Sequence, residues 1–193
     1  MYFKKIYIYI IFILFHWQNS PALTQDITLT ILVPDALHSE YILAKSVCKL
    51  LGRELEVSHS YGGTNTLDCS VTFNNSIDDI ITKIEQNQFQ YAIVKSSEFD
   101  TRPSNLAIRS ILYFPAEQDY VFVSNQNVDI EIIKEINFGV INHLLEFKYL
   151  HSSFINFSAE NLIVKQKIPM HLGTLKFSDD WKSGKNLRLT EVE

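Results

Sequence analysis

A strand, helix and strand in the middle of the chain constrain its fold more than any other feature. Residues 69–97 read CSVTFNNSIDDIITKIEQNQFQYAIVKSS. An alternating β-branched segment opens the stretch, and Ile77, Ile80, Ile81 and Ile84 then recur at helical spacing. The closing QYAIVKS is nearly continuous in apolar residues, as in strands buried on both faces of a parallel sheet. Such a unit predicts two parallel strands joined by a right-handed crossover.

A further strand and helix precede this unit. Residues 26–33, DITLTILV, alternate and are rich in β-branched side chains, which predicts the first strand. Apolar residues recur at helical spacing over residues 39–51, and Gly52 predicts the end of that helix. The order strand, helix, strand, helix, strand predicts an α/β fold, with a mostly parallel sheet flanked by helices.

The remaining elements are predicted from shorter patterns. NLAIRSILYF and DYVFVS, on either side of Pro115, are typical of strands, and residues 128–136 of a short helix. NFGVI indicates another strand, and the tail predicts a Pro–Gly turn followed by a helix near residues 175–182. The polar segment RELEVSHSYGGTNTLD indicates a loop or loose hairpin.

The carboxyl ends of the predicted parallel strands indicate where a ligand would bind. Ser76 is predicted to cap the helix, with Asp79 three residues later as an acidic variant of a capping box. Ligands of such sheets bind beyond the strand ends, where helix N-termini offer free N–H groups and a partial positive charge. Those places are residues 34–41, 73–76 and 95–98. This edge is therefore suited to an anion.

The N-terminus is typical of a secretory signal peptide. Lys4 and Lys5 precede an apolar run of ten residues, 6–15, about half of the roughly 20 that a membrane-spanning helix needs. The small residues of SPA follow, so cleavage is expected after Ala22. A buried helix or a short anchor is the alternative interpretation. We expect a protein of the periplasm or the exterior.

Charge and histidine spacing exclude some classes of function. Without its first 22 residues the chain keeps 15 basic and 22 acidic residues, a formal net charge of −7. Nucleic-acid binding normally needs a basic patch, so no nucleic-acid partner is expected. The six histidines lack metal-ligand spacing, and no nucleophile and base pair is apparent. We therefore expect no metal, no cofactor and no enzymatic activity.

Only two cysteines occur in the chain, Cys48 and Cys69. In an oxidising compartment an even number of cysteines in a small chain predicts one disulfide. Two buried free thiols and a metal site are the alternatives, the latter without any C-x-x-C or nearby histidine pair to support it.

Four segments in order resemble one known family. They are SEYILAKSVCKLLGRE, the stretch CSVTFNNSIDDIITKIEQNQFQYAIVKSS, NLAIRSILYFPAEQDYVFV and KIPMHLGTLKFSDDW. Together they resemble TAXI-type receptors, the extracytoplasmic solute-binding proteins of TRAP transporters. The resemblance covers residues 26–140 and 168–181. It departs from the family at the loop VPDALHSEY, which has no glycine, and at a shortened turn, TFNNS.

The resemblance implies a function and a set of contacts. In the family, two lobes close on a small organic anion or amino acid, which membrane permease subunits of the transporter then take up. Carried over by position, the ligand contacts would be Tyr41, Asn75, Ser76, Lys95 and Ser96. Simpler interpretations are an aromatic at the core edge for Tyr41, a turn residue for Asn75, a helix cap for Ser76 and a solvated charge for Lys95.

The family chain is markedly longer, which implies a particular domain organisation here. Residues 1–22 would be the signal peptide, 23–117 a first, periplasmic-binding-protein-like lobe, 118–167 the remnant of a second lobe or a crossover, and 168–193 a segment returning to the first lobe. The function expected from this organisation is solute capture without catalysis. The alternative is a degenerate, non-transporting remnant or a secreted interaction module that no longer binds a solute.

Overall fold

The computed structural model describes residues 27–35, 39–59, 67–103 and 106–184. In these ranges the strands are β1 Ile27–Val33, β2 Leu67–Phe73, β3 Tyr91–Lys95, β4 Ile108–Phe114 and β5 Tyr120–Asn125. The α-helices are α1 Ser39–His59, α2 Ile77–Glu85, α3 Ile130–Asn142, α4 Leu144–Leu150, α5 Ala159–Leu162 and α6 Leu172–Lys182. Short 3-10 helices lie at Ser96–Phe99 and Ser152–Phe154.

The strands form one sheet in the order β2-β1-β3-β5-β4. β1 runs parallel to both β2 and β3, as the sequence predicts. β5 is antiparallel to both its neighbours, so β4 runs in the same direction as β1, β2 and β3. The sheet is therefore mixed but mostly parallel and is flanked by helices. The predicted α/β fold is confirmed, and the sheet is compatible with a binding-protein-like lobe.

The larger core lies on the face of the sheet that α1 covers. Leu29, Ile31 and Val33 of β1 point to this face and pack with apolar residues of α1. Helices α3 to α6 and the residues between them extend the same core. It includes a cluster of phenylalanines at Phe114, Phe147, Phe154 and Phe157. The region after residue 117 therefore packs with the first strands rather than apart from them.

The smaller core lies on the opposite face, under α2. Ile80, Ile81 and Ile84 form the buried stripe of this helix, as their spacing predicts. They pack with Ala92 and Val94, while the alternate residues of β3 belong to the larger core. β3 is therefore buried on both faces, which confirms its prediction from an almost continuous apolar run.

The two outer strands are secured in different ways. Along β4, the Ser110 N–H donates to the Pro169 carbonyl over 3.0 Å, and the His171 N–H donates to the Ser110 carbonyl over 2.9 Å. The chain just before α6 therefore covers this edge of the sheet. At the other edge, a disulfide joins Cys69 of β2 to Cys48 of α1. The predicted disulfide is confirmed.

The predicted end of α1 is wrong. The helix continues past Gly52 to His59, so part of the segment predicted as a loop is helical. Glycine inside a helix costs only about 1 kcal/mol relative to alanine, and α1 packs along β2, where the disulfide holds it. A lone glycine was therefore insufficient evidence for a stop.

Two later predictions also need correction. NFGVI is part of α3 rather than a strand: Asp129 caps the helix through its side chain, and buried Ile133, Ile136 and Val140 continue one helical face. In the tail, the sequence predicts a turn at Gly173 and a helix that begins after it. Gly173 instead lies in the first turn of α6, and His171 caps that helix. Short apolar runs do not distinguish helix from strand by themselves.

The predicted signal peptide and its cleavage position lie outside the described residues. Within the described ranges, no helix is both long and apolar enough to cross a membrane. The division at residues 117 and 167 stays a prediction, although β5 lies inside the same sheet as β1 to β4.

Candidate functional site

The strand register places the ends of the parallel strands at one edge of the sheet. Val33 of β1 lies opposite Phe73 of β2. Leu32 lies opposite Ala92, so β3 continues to Lys95 beyond the end of β1. In β5, which runs the other way, the first residue Tyr120 lies opposite Lys95. We call this the carboxyl edge.

Tyr41 meets the end of β2 at this edge. Its ring centroid lies 6.0 Å from that of Phe73, with the rings tilted by 52°. Lys45, one turn further along α1, places its Nζ 5.6 Å from the centroid of Tyr41. Phe73 is 52% exposed, so part of this aromatic pair faces solvent. The pair offers an apolar surface with a cation beside it.

The first turn of α1 reaches across the end of the sheet. Ser39 forms a side-chain hydrogen bond with Tyr120 of β5, whereas Tyr41 contacts Phe73 of β2. Burial raises the pKa of Tyr120, the bond with Ser39 opposes that rise, and the charges of Glu40 and Glu117 add to it. Tyr120 is therefore a neutral phenol at physiological pH.

Lys95 is the last residue of β3. Tyr91 and Ile93 belong to the core under α1, and alternation along the strand directs Lys95 to the same face. Its side chain is half-buried, and among the described residues its Nζ forms neither a hydrogen bond nor an ion pair. Ser96 follows directly, and its N–H donates to the Asp119 carbonyl over 2.8 Å. Lys95 therefore supplies a positive charge at the carboxyl edge that no other described residue neutralises.

Ser76 caps α2, as predicted. Its Oγ accepts from the Asp79 N–H over 3.2 Å. The second half of the expected capping box differs, because the Ser76 N–H donates to Asn74 Oδ1 over 3.1 Å, and Asn74 Nδ2 in turn donates to the Asp79 carboxylate. Asn75, between these residues, is exposed.

Acidic side chains already occupy the N-terminal turn of α2. Asp78 and Asp79 lie in this turn, and Arg102 pairs with Asp78 over 2.6 Å. Two hydrogen bonds to the Asp79 carboxylate hold its pKa below the usual range. The bond from Lys83 has the larger effect and the bond from Asn74 the smaller. This helix terminus is therefore less suited to an added anion than the region around Lys95.

The five predicted contacts therefore fall into two groups. Tyr41 and Lys95 lie on the face of the sheet that α1 covers, and Ser96 follows Lys95 in the chain. Asn75 and Ser76 precede α2, which covers the opposite face. The structure places all five at the carboxyl edge, and only the first group includes a cation that has no partner among the described residues.

Sequence patterns did not single out three residues at this edge, although two of them, Glu40 and Phe73, lie within the predicted ranges. Phe73 is the last residue of β2, and Tyr120 is the first residue of β5. Alternation of apolar and polar residues does not identify which strand ends become neighbours in the sheet. Glu40 is only 3% exposed, and its Oε2 has no hydrogen-bond partner within the part of the chain that the structure describes. A carboxylate buried in the first turn of a helix is favoured by the helix dipole. No sequence signal identified its burial.

The side chains at the carboxyl edge can serve as binding groups. Lysine, phenol and aromatic side chains can hold a carboxylate and an apolar body. Within the described ranges, no group of three His, Cys, Asp or Glu residues is placed to hold a metal ion.

Comparison of the chain with protein-family models and with curated proteins gives no match. The family resemblance stays a prediction from the sequence.

Proposed function

We propose that this chain is a non-catalytic receptor that binds a small organic anion or amino acid at the carboxyl edge. The observation that carries the proposal is Lys95, a half-buried cation with no partner among the described residues. As in the family that the sequence resembles, the receptor would be exported and would pass its solute to membrane permease subunits of a TRAP-type transporter. The disulfide supports export, because such bonds persist in oxidising compartments.

The groups around Lys95 explain why an organic anion fits this position. A lysine at a strand end supplies a point charge for a carboxylate. The first turn of α1 lies over the same face, between its contacts to Tyr120 and Phe73. Because this turn already contains the buried side chain of Glu40, Lys95 rather than the helix N-terminus supplies the attraction for an anion. The exposed part of Phe73 offers apolar surface to the rest of the ligand.

A single lobe limits the affinity that this site can reach. Ligand pockets usually bury 70–90% of the ligand, whereas a site at one edge of one sheet leaves a side of it in water. We therefore expect a Kd on the order of 1 mM, or about −4 kcal/mol.

The proposal is tested by thermal-shift screening followed by titration calorimetry. Amino acids and dicarboxylates should raise the melting temperature as their concentration exceeds the Kd. The variants Lys95→Ala and Lys95→Met, of which the second keeps most of the apolar stem, should weaken binding at least about tenfold, or by about 1.4 kcal/mol. Lys176→Met, at an exposed position on α6, is the matched control and should bind like the wild type. Unchanged affinity in both Lys95 variants would remove this residue from the site.

A specific observation favours a second candidate, an interaction module without solute binding. Leu145 and Tyr149 of α4 are 67% and 83% exposed and lie four residues apart, on one side of the helix. Exposed apolar patches mark interaction surfaces. This candidate predicts that no anion raises the melting temperature, and that any concentration-dependent association is lost in a Leu145→Ser, Tyr149→Ser double variant.

A further inference from the structure

A polar groove lies at the opposite, amino-terminal end of the sheet. It has a volume of about 290 Å³ and lies between the first half of β1 and the loop that leads from α2 into β3. Thr28 and Thr30 form one wall, and residues 87–91 form the other. The groove is separate from the carboxyl edge, because Thr28 and Lys95 lie at opposite ends of their strands.

The groove exists because β3 begins later than β1. β1 pairs with β2 along all of residues 27–33, but it pairs with β3 only at Ile31 and Leu32. Backbone groups along a strand point alternately to its two sides. Within the described ranges, β1 therefore presents backbone N–H and C=O groups to the groove before Ile31, where no strand pairs with them.

The loop wall of the groove is held in place by Asn125. This residue is fully buried, and its Nδ2 donates to the Ile84 carbonyl over 2.7 Å and to the Glu85 carbonyl over 3.3 Å. Its own N–H donates to the Gln90 carbonyl over 3.1 Å. The N–H groups of Asn87 and Gln88 are bound to carbonyls at the end of α2. The wall is thus positioned before any ligand arrives, which lowers the cost of binding.

The side chains of the groove are neutral and polar. Thr28, Thr30, Asn87, Gln88 and Gln90 carry hydroxyl or amide groups, which both donate and accept hydrogen bonds. The Oγ atoms of Thr30 and Ser70 lie 3.2 Å apart, and Gln88 Nε2 donates to Gln86 Oε1 over 2.8 Å, so these groups already have defined orientations.

The remaining lining residues are Phe89 and Tyr91. The half-buried ring of Phe89 contributes apolar surface, and Lys83 Nζ lies 6.0 Å from its centroid. Tyr91 is 2% exposed, so its phenol belongs to the core. The described residues of the lining therefore contain no carboxylate, ammonium or guanidinium group. A charged ligand would lose water here without gaining a counter-charge from the lining, which is unfavourable.

We propose that this groove binds a neutral polyhydroxylated ligand, a monosaccharide or a cyclic polyol. The hydroxyl groups of such a ligand both donate and accept, which matches the threonine, asparagine and glutamine side chains. The C–H face of a sugar ring can pack on apolar surface such as that of Phe89. The volume is at the lower end of the roughly 300–1,000 Å³ of ligand pockets, which suits a single ring. This site is independent of the anion-binding proposal.

The test is an NMR titration of the ¹⁵N-labelled full chain with D-glucose, D-galactose and myo-inositol. At least one of these should shift the amide signals of residues 28–30 and 87–91, with a Kd on the order of 1–10 mM. Thr30→Val, which keeps the shape but removes a hydroxyl, and Gln88→Leu should each weaken binding at least about fivefold. Thr72→Val is the matched control, because Thr72 lies on β2 near the carboxyl end, opposite Leu32, and should leave binding unchanged.

Three results would overturn the inference. The first is the absence of amide shifts in residues 28–30 and 87–91 with all three ligands at about 50 mM, well above the expected Kd. The second is tighter binding of D-glucuronate than of D-glucose, which would show that the groove selects charge. The third is a set of NOEs showing that residues upstream of Ile27 fill the groove. Shifts confined to residues around Lys95 would count against this site and for the carboxyl edge.

Discussion

The disulfide between Cys48 and Cys69 joins the middle of α1 to an outer strand of the sheet, with 5.2 Å between the two Cα atoms. Both residues are half-buried and pack against the larger core. Among the described strands, β2 pairs only with β1, so the disulfide gives it a second, covalent attachment. Free thiols and metal ligation, the alternatives that the sequence left open, do not describe these residues.

Removing this disulfide should destabilise the protein. We expect the Cys48→Ala, Cys69→Ala double variant to lose about 3 kcal/mol of unfolding free energy, because the cross-link restricts the unfolded chain between positions 21 residues apart. Urea unfolding of the oxidised wild type and the double variant measures the difference. Equal midpoints and slopes would show that the link contributes nothing. Reduction of the wild type with dithiothreitol should give the same loss.

The cap of α2 should also contribute measurably. Ser76→Ala removes the oxygen that accepts from the Asp79 N–H, and we expect a loss of about 1 kcal/mol in unfolding free energy. Ser76→Asp keeps an acceptor at the cap and serves as the matched control, with a much smaller loss. The two variants are compared by urea unfolding. If both lose the same amount, the hydrogen bond at the cap is not the cause.

Local patterns predicted the first half of the fold because the information there is local. The isoleucine spacing from Ile77 to Ile84 and the cap at Ser76 lie within ten residues, and right-handed crossovers limit how such units connect. The position of β5 between β3 and β4 depends on contacts far apart in the chain, such as Ala92 with Val123, which no window of sequence contains. NFGVI is a different case, because a short apolar run does not by itself distinguish a helix from a strand.

The candidate site was predictable only in part. Strand ends and helix starts indicated the carboxyl edge, and the resemblance indicated Tyr41 and Lys95. Sequence could not indicate that Phe73 is the aromatic partner of Tyr41, or that Glu40 is buried, because both depend on how α1 lies across the sheet. The groove near Thr30 was also missed, since it results from the offset between β1 and β3.

Stability should fall at mildly acidic pH because of His171. This residue is 1% exposed, and its Nδ1 accepts from the Gly173 N–H over 3.1 Å, which caps α6. Its Nε2 lies near the backbone oxygens of Gln126 and Val128 but makes no hydrogen bond of ordinary geometry. Burial lowers the pKa of His171, Arg109 adds to that effect, and the two backbone oxygens and Asp129 oppose it.

The lowered pKa means that the unfolded chain binds this proton more readily than the folded protein. The neutral imidazole therefore contributes its full stability above the ordinary pKa of about 6.5, and this contribution is lost as the pH falls towards the folded value. Between about pH 7.5 and about pH 5.5, the His171→Asn variant, which keeps a capping acceptor but does not titrate, should lose less stability than the wild type, by on the order of 1 kcal/mol. Urea midpoints across this range provide the measurement, and parallel pH profiles would contradict the prediction.

Alanine at two helical glycines should have opposite effects. A Cβ on Gly173 would lie 2.6 Å from the Ile130 carbonyl oxygen and 2.7 Å from Ile133 Cβ, so α6 could not keep its approach to α3. We expect Gly173→Ala to destabilise the protein by about 1–3 kcal/mol, in spite of the better helix propensity of alanine. At Gly52 a Cβ meets nothing within 4 Å, so Gly52→Ala should stabilise the protein by about 0.5–1 kcal/mol. Urea unfolding of both variants measures the two changes in unfolding free energy. A stabilising Gly173→Ala would show that α3 and α6 do not pack this closely.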